Sequence, residues 1–177
     1  MQKGLLPFSP NARPNLRASR GNLEAVRVGK MTPKARAQRS AQVIWSRDQA
    51  SKWFGMQVLD VDEGTATLTL KVEAQHANGH GICHGGVIFS LADSAFAFAC
   101  NSRNQNTVAQ HNTISFIAPG RLGDMLTAQA REVSLAGRSG LTDVTVTNQD
   151  GQLIAEFRGA SRAIKGQLFQ EEEEKAQ

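Results

Sequence analysis

Asp93 is the one charged residue in the sixteen-residue run Gly85–Cys100, GGVIFSLADSAFAFAC, which has no proline and no strand-like alternation. A run of this length that is apolar all round reads as a buried helix. A lone carboxylate inside such a helix is costly to keep charged unless something bonds to it. Two readings stand. Asp93 is a structural aspartate bonded to a nearby backbone or threonine group, or it is a general base or nucleophile in a dry pocket.

The run is entered through the loop Asn78-Gly79-His80-Gly81-Ile82-Cys83-His84-Gly85-Gly86. Glycine at this density makes a poor helix and a poor strand, and suits backbone that must come close to a ligand. The loop leads straight into a helix N-terminus, whose free N–H groups and positive dipole end suit a polarised carbonyl or a developing oxyanion.

His76, His80 and His84 are spaced by four, with Cys83 beside the last. On a helix this would align three imidazoles for a metal. Asn78, Gly79 and Gly81 oppose a helix here, so the spacing loses its geometric meaning and no metal site is expected. His76 and His80 then read as ordinary loop residues and His84 as the residue that orients the loop. Cys83 and His84 are sequence neighbours and so rarely face each other, which disfavours a Cys–His nucleophile.

His84 and Asp93 lie nine residues apart. At 100° and about 1.5 Å per residue they differ by roughly 180° around a helix and roughly 13 Å along it. One chain cannot easily aim both at the same carbonyl, whereas two antiparallel helices across a two-fold axis can. If the two share a reaction, the site lies at a homodimer interface.

The elements that must position these residues follow from periodicity. Residues 40–54 carry an apolar stripe of Val43, Ile44, Trp45 and Phe54 and read as a helix ended by Gly55. Strict alternation over Thr65–Val72 marks a half-buried strand, with Gln57–Asp62 as its hairpin partner. Further strands are expected at Val108–Ile117, Met125–Leu135, Leu141–Thr147 and Leu153–Ile164. Their short connections predict an antiparallel meander. The fold class is α+β, a curved antiparallel sheet wrapped around a long central helix at about 85–101.

At 177 residues the chain is one domain's worth. No apolar run reaches the roughly 18 residues of a membrane-spanning helix. Two cysteines, Cys83 and Cys100, are too few for a disulfide scaffold and fit a reducing, cytoplasmic setting. Residues 1–39 hold nine basic residues against Glu24 alone, whereas residues 40–169 hold ten basic against eleven acidic. A disordered basic arm at 1–39 is therefore expected, followed by a near-neutral domain at 40–166 and an acidic disordered tail at 167–177. The arm reads as a transit peptide, a contact for nucleic acid or an anionic surface, or an over-long start with Met31 as initiator. Sparse aromatics and the absence of Tyr weaken any base-stacking role, and no nucleic-acid or membrane partner is expected of the body.

Asn78, then His84-Gly85-Gly86, then Leu91-Ala92-Asp93 resemble the signature of the phenylacetate-degradation (PaaI-type) acyl-CoA thioesterases of the hotdog-fold superfamily. Ser94–Ser102, Phe116-Ile117-Ala118-Pro119-Gly120, Gly123-Asp124 and Phe157-Arg158-Gly159 are similar to that family as well. The resemblance covers about residues 40–166. It implies a hotdog fold, an enzyme without cofactor or metal, and hydrolysis of acyl-CoA thioesters. Asp93 would activate water or attack the thioester, and the Gly85 amide would polarise its carbonyl. His84 would hold the loop or the thioester, and Asn78 would position water or the Asp93 carboxylate. It also implies a dimer of dimers with shared sites. Some relatives place a hydroxyl residue on the following strand to hold the water; this chain has Ala109 there.

Coenzyme A carries phosphates, so basic groups near the mouth matter. Arg138 and Ser139 in the turn Gly137–Gly140, and Arg158 in the last strand, are the candidates. Phenylacetyl or hydroxyphenylacetyl thioesters are the favoured substrates and medium-chain fatty acyl thioesters the alternative. A non-catalytic acyl-CoA binding module also competes, as does a hotdog hydratase, for which no separate Asp/His dyad is present.

Overall fold

The computed structural model describes residues 31–171. Helix α1 spans Pro33–Arg47 and α2 spans Gln49–Trp53. The single helix expected over 40–54 is therefore longer at its start and broken near its end. Thr32 caps α1, its hydroxyl accepting from the Ala35 N–H at 3.2 Å, with Pro33 in the first turn, a pairing that nucleates a helix despite the basic surroundings. Asp48 adopts an extended conformation and caps α2, its carboxylate accepting from the Ser51 N–H at 2.9 Å. Ala37, in the stretch assigned to the arm, is fully buried.

Strands β1 (Gln57–Asp62) and β2 (Thr65–Lys71) form the expected hairpin, with Gly64 at φ +73° in its turn. Helix α3 spans Gly85–Cys100. Then follow β3 (Thr107–Phe116), β4 (Met125–Ala136), β5 (Ser139–Thr147) and β6 (Leu153–Ala163). All pairings are antiparallel, in the order β1-β2-β4-β5-β6-β3.

The meander holds for β4, β5 and β6 only. β3 sits at the far edge beside β6, because α3 carries the chain across the sheet before β3 begins. Asn101, just past α3, fixes that start: its carboxamide accepts from the Thr107 N–H and donates to the Thr107 carbonyl, each at 2.9 Å.

The sheet curves around α3. Leu91, Ala92, Ala95, Phe96, Phe98 and Ala99 are buried in one core with Leu68, Leu70, Leu126, Ala128, Val144, Val146 and Phe157. Phe96 and Phe157 meet with ring centroids 5.8 Å apart. Burial of such side chains contributes about 1.5–3 kcal/mol each, so this layer dominates the stability of the fold.

The beginning of the expected acidic tail is packed. Asn104, at φ +60° and fully buried, accepts from the Leu168 and Phe169 N–H groups, both at 3.1 Å. Its Nδ2 donates to the Phe169 carbonyl at 2.9 Å and to Glu171 at 3.1 Å. Glu171, expected to be solvated, also receives Arg36 of α1 at 2.6 Å. The buried Asn104 carboxamide needs partners, and residues 168–171 supply them. The expected tail residues 172–177, and the arm over 1–30, lie outside the described residues.

Candidate active site

Asp93 is half-buried on α3 and forms one wall of a cleft of about 290 Å³. Phe89, Ala97 and Phe98 of the same helix line it, with Ile44, Phe54 and Met56 opposite. Ser51 and Ser94 bridge α2 and α3 across it, hydroxyl to hydroxyl, at 2.9 Å. Burial pushes the Asp93 carboxyl above the ordinary aspartate range, and a hydrogen bond from Asn112 Nδ2 at 2.7 Å opposes that shift. An apolar cleft with a single raised carboxyl is a setting for general-base or nucleophilic chemistry rather than for ion pairing.

The glycine-rich loop is built by its own side chains. Asn78 Oδ1 accepts from the His80 N–H at 2.9 Å, a turn that lets Gly81 take φ +73°. The chain returns so that the Asn78 N–H donates to the Ile82 carbonyl and the His84 N–H to the His76 carbonyl, both at 2.8 Å. His84 caps α3, its Nδ1 accepting from the Gly86 N–H at 2.8 Å. The Gly85 N–H, next in line, has no acceptor among the described residues. It is a free donor at the positive end of a sixteen-residue helix dipole. A side-chain carbon at Gly85 would lie 3.0 Å from Cζ of Phe116, so the ring rests on the glycine.

Asn78, His84 and Gly85 thus share one loop. Asp93 stands eight residues further along α3 than Gly85, about 12 Å away by helical rise. One chain does not bring the two together.

The other expected residues spread further. Arg138 is exposed in the β4–β5 turn, and the Ser139 hydroxyl accepts from Arg162 at 3.1 Å. Arg158 is engaged by Asp143 through two bonds of 2.6 and 2.7 Å. Its neighbours Phe157 and Gly159 are buried and face α3, so Arg158 points to the outer face of the sheet. His76 is buried, its Nδ1 accepting from the Glu73 N–H at 3.1 Å, whereas His80 is exposed. Burial pushes the Cys83 thiol up to about 11, which suits an inert core residue rather than a nucleophile. No metal-binding cluster occurs among the described residues.

Ala109 is exposed and offers no hydroxyl. The contact from β3 to Asp93 is made instead by Asn112, which the sequence reading missed. Its signal was present: Asn112 shares the helix-facing side of β3 with Ile114, a polar residue where an apolar one is expected.

Comparison with known proteins places this geometry. Residues 80–155, from the glycine loop to β6, match the family model described as the thioesterase superfamily. The chain is 42% identical over 133 residues to the acyl-coenzyme A thioesterase PaaI of Escherichia coli K12, spanning 75% of this chain and 95% of that protein. The chain belongs to the thioesterase superfamily. The solved structure of the E. coli PaaI protein from the phenylacetic acid degradation operon superposes with a TM-score of 0.76 at 41% identity, covering 77% of this chain and 99% of that one. A Streptococcus mutans protein, smu.793, solved bound to acetyl CoA, matches at 28% identity and a TM-score of 0.61, covering 63% and 90%. The hotdog fold expected of the thioesterase is therefore the fold found, and among its described residues no helix is long and apolar enough to cross a membrane.

Proposed function

We propose that this thioesterase hydrolyses acyl-CoA thioesters to a free acid and CoA, in sites shared between two subunits. The observation that carries the reading is the separation on α3 of a half-buried carboxylate, Asp93, from an unoccupied donor, the Gly85 N–H. Across a two-fold axis with antiparallel α3 helices, Asp93 of one chain faces Gly85 of the partner subunit. The thioester carbonyl accepts from that N–H, so negative charge building on its oxygen meets the helix dipole. With Asp93 as base, the carboxylate takes a proton from water as the water oxygen bonds the carbonyl carbon. Collapse breaks the C–S bond, and the proton passes to the departing sulfur. With Asp93 as nucleophile, its carboxylate oxygen bonds the carbonyl carbon, and the C–S bond breaks to expel the CoA thiolate and leave an acyl-aspartyl anhydride. Water then opens the anhydride to the free acid and the Asp93 carboxylate, its proton passing to the thiolate. His84 fixes the helix start and Asn78 the loop. The E. coli relative's name supports the acyl-CoA substrate.

β3 supports the assembly. Among the described residues it pairs with β6 on one side only; Val108 and Phe116 are exposed along it at 46% and 53%, and Ile117 just past it at 57%. An open edge of this kind favours pairing with a second copy. The proposed state is a cytoplasmic dimer of dimers without cofactor, metal, nucleic-acid or membrane partner. Residues 40–166 form its thioesterase body within the packed 33–171 segment, preceded by the basic arm. Arg138 and Ser139 are the proposed phosphate contacts at the mouth. Arg158 joins them only after giving up Asp143.

The apolar, aromatic-lined cleft supports an aryl acyl group such as phenylacetyl or hydroxyphenylacetyl, with medium-chain acyl groups as the alternative. A thiol-release assay over an acyl-CoA panel, run with wild type and Asp93→Asn, tests the reading. Turnover of one acyl class that Asp93→Asn loses supports it. Wild type without turnover on any member, but with CoA thioesters bound, would make the protein a binding module instead.

A further inference from the structure

Asn112 is the one residue bonded to the Asp93 side chain among the described residues. It comes from β3, not from the loop or from α3, and its geometry is constrained on both sides. Nδ2 lies 2.7 Å from Asp93 Oδ1. The amide oxygen is buried and has no donor among the described residues. It faces Gly159, its register partner on β6: a side-chain carbon there would lie 3.0 Å from Asn112 Oδ1 and 2.7 Å from the Phe96 ring. The missing side chain of Gly159 thus leaves the pocket into which the Asn112 amide and the Phe96 ring both fit. A buried amide oxygen without a donor is an uncommon arrangement, and such groups gather where function holds them. Turning the amide over would bring its oxygen against the Asp93 carboxylate, so the ionised aspartate itself selects the observed orientation.

We propose that Asn112 is a positioning residue for Asp93: Nδ2 engages one carboxylate oxygen, seated by the gap at Gly159, and leaves the other oxygen turned to the reacting atoms. The proposal rests on Asp93 being the reacting carboxylate. It also gives β3 a part in catalysis, since the strand proposed to pair the subunits is the strand that aims the base. Among the described residues, the other titratable groups near Asp93 are Asp48, on the opposite wall of the cleft, and Cys100, further along α3. Neither donates a hydrogen bond to it, and β5 and β6 present the uncharged Thr142 and Gly159 on the row beside Asn112.

The test is the pH profile of kcat/KM for wild type, Asn112→Leu and Asn112→Ala on an acyl-CoA that wild type turns over, with Asp93→Asn as control. Leu keeps the bulk and removes the donor; Ala cannot crowd Phe96 and decides the matter if the Leu variant is insoluble. The donor favours the charged carboxylate, so its loss raises the Asp93 pKa. A base must be ionised, so the acid limb moves to higher pH, by about 0.5 unit or more. In the same variants kcat falls about ten- to hundredfold, the range for a hydrogen bond to a charged group, while KM stays within about twofold. An acid limb within about 0.2 unit of wild type in a folded variant overturns the proposal, whatever happens to kcat. Loss of activity in Asp93→Asn beside such an unmoved limb refutes the role of Asn112 alone. Retained activity in Asp93→Asn refutes the underlying reading.

Discussion

If Asp93 and Gly85 serve one thioester from different subunits, two dead variants must revive each other. Asp93→Asn keeps size and removes the base, and should lower turnover by at least about 10²-fold. Gly85→Pro removes the free N–H. Gly85 is the first residue of α3, where proline fits the helix without breaking a bond. The added ring meets Phe116, 3.0 Å from the site of the first side-chain carbon, so that ring must shift to admit it. Each variant alone should therefore fold and be inactive. The spacing fixes the outcome of mixing: with the two groups about 12 Å apart along one helix, no site draws both from one chain. After subunit exchange at equal concentrations, about half of the dimers are mixed, and each mixed dimer holds one doubly defective site and one intact one. About a quarter of wild-type activity should return. The assay is thiol release before and after exchange, with exchange verified by mass-tagged subunits. Complete exchange without recovered activity would show that both groups act within one chain and would refute the shared site.

Sedimentation should give about four times the 19.1 kDa chain mass, and a monomer at working concentration would oppose the shared site as well. Asp93 is charged at pH 8 at the expense of stability, because its carboxyl is raised by burial. Asp93→Asn should therefore melt higher than wild type at pH 8, with the gain shrinking as pH falls and the wild-type carboxyl takes up its proton; a gain that grows toward acid pH would be the wrong sign. Asn104→Ala removes four bonds to residues 168–171 and leaves alanine at φ +60°. At about 1 kcal/mol per bond and about 2–4 °C per kcal/mol, the melting temperature should fall by about 8–16 °C, and a fall under about 3 °C in differential scanning calorimetry would show the contacts to be incidental. Truncation after Gln170 removes Glu171 with its bonds to Arg36 and Asn104, so it should lower the melting temperature by a few degrees.

The strands and α3 were legible because each is governed by a local period: alternation at Thr65–Lys71, and unbroken apolar character at Gly85–Cys100. Asp93 stood out for the same reason, as a charge against an apolar background. The position of β3 beside β6 was not legible, since strand order is decided by where α3 delivers the chain and not by the strand's own residues. The start of α1 was hidden by composition: Thr32-Pro33 is a start signal, but it lies in a stretch whose charges read as an arm. Asn112 required knowing which side of β3 faces α3, and the bulge at Gln110, where the register shifts, obscures that alternation. The seating of residues 168–171 depended on a buried asparagine more than sixty positions away, a contact no local pattern encodes.

The two cysteines, Cys83 and Cys100, are both buried, and burial holds their thiols up at about 11 and about 12. They are the only cysteines in the chain. Thiol-detecting reagents react with the thiolate, which these side chains scarcely form at neutral pH and do not present to solvent. In a disulfide-exchange assay the native enzyme is thus close to silent, and colour develops from released CoA alone. A slow rise in enzyme-only blanks would then report opening of the core around α3, so the blank of the activity assay doubles as a gauge of folded-state integrity.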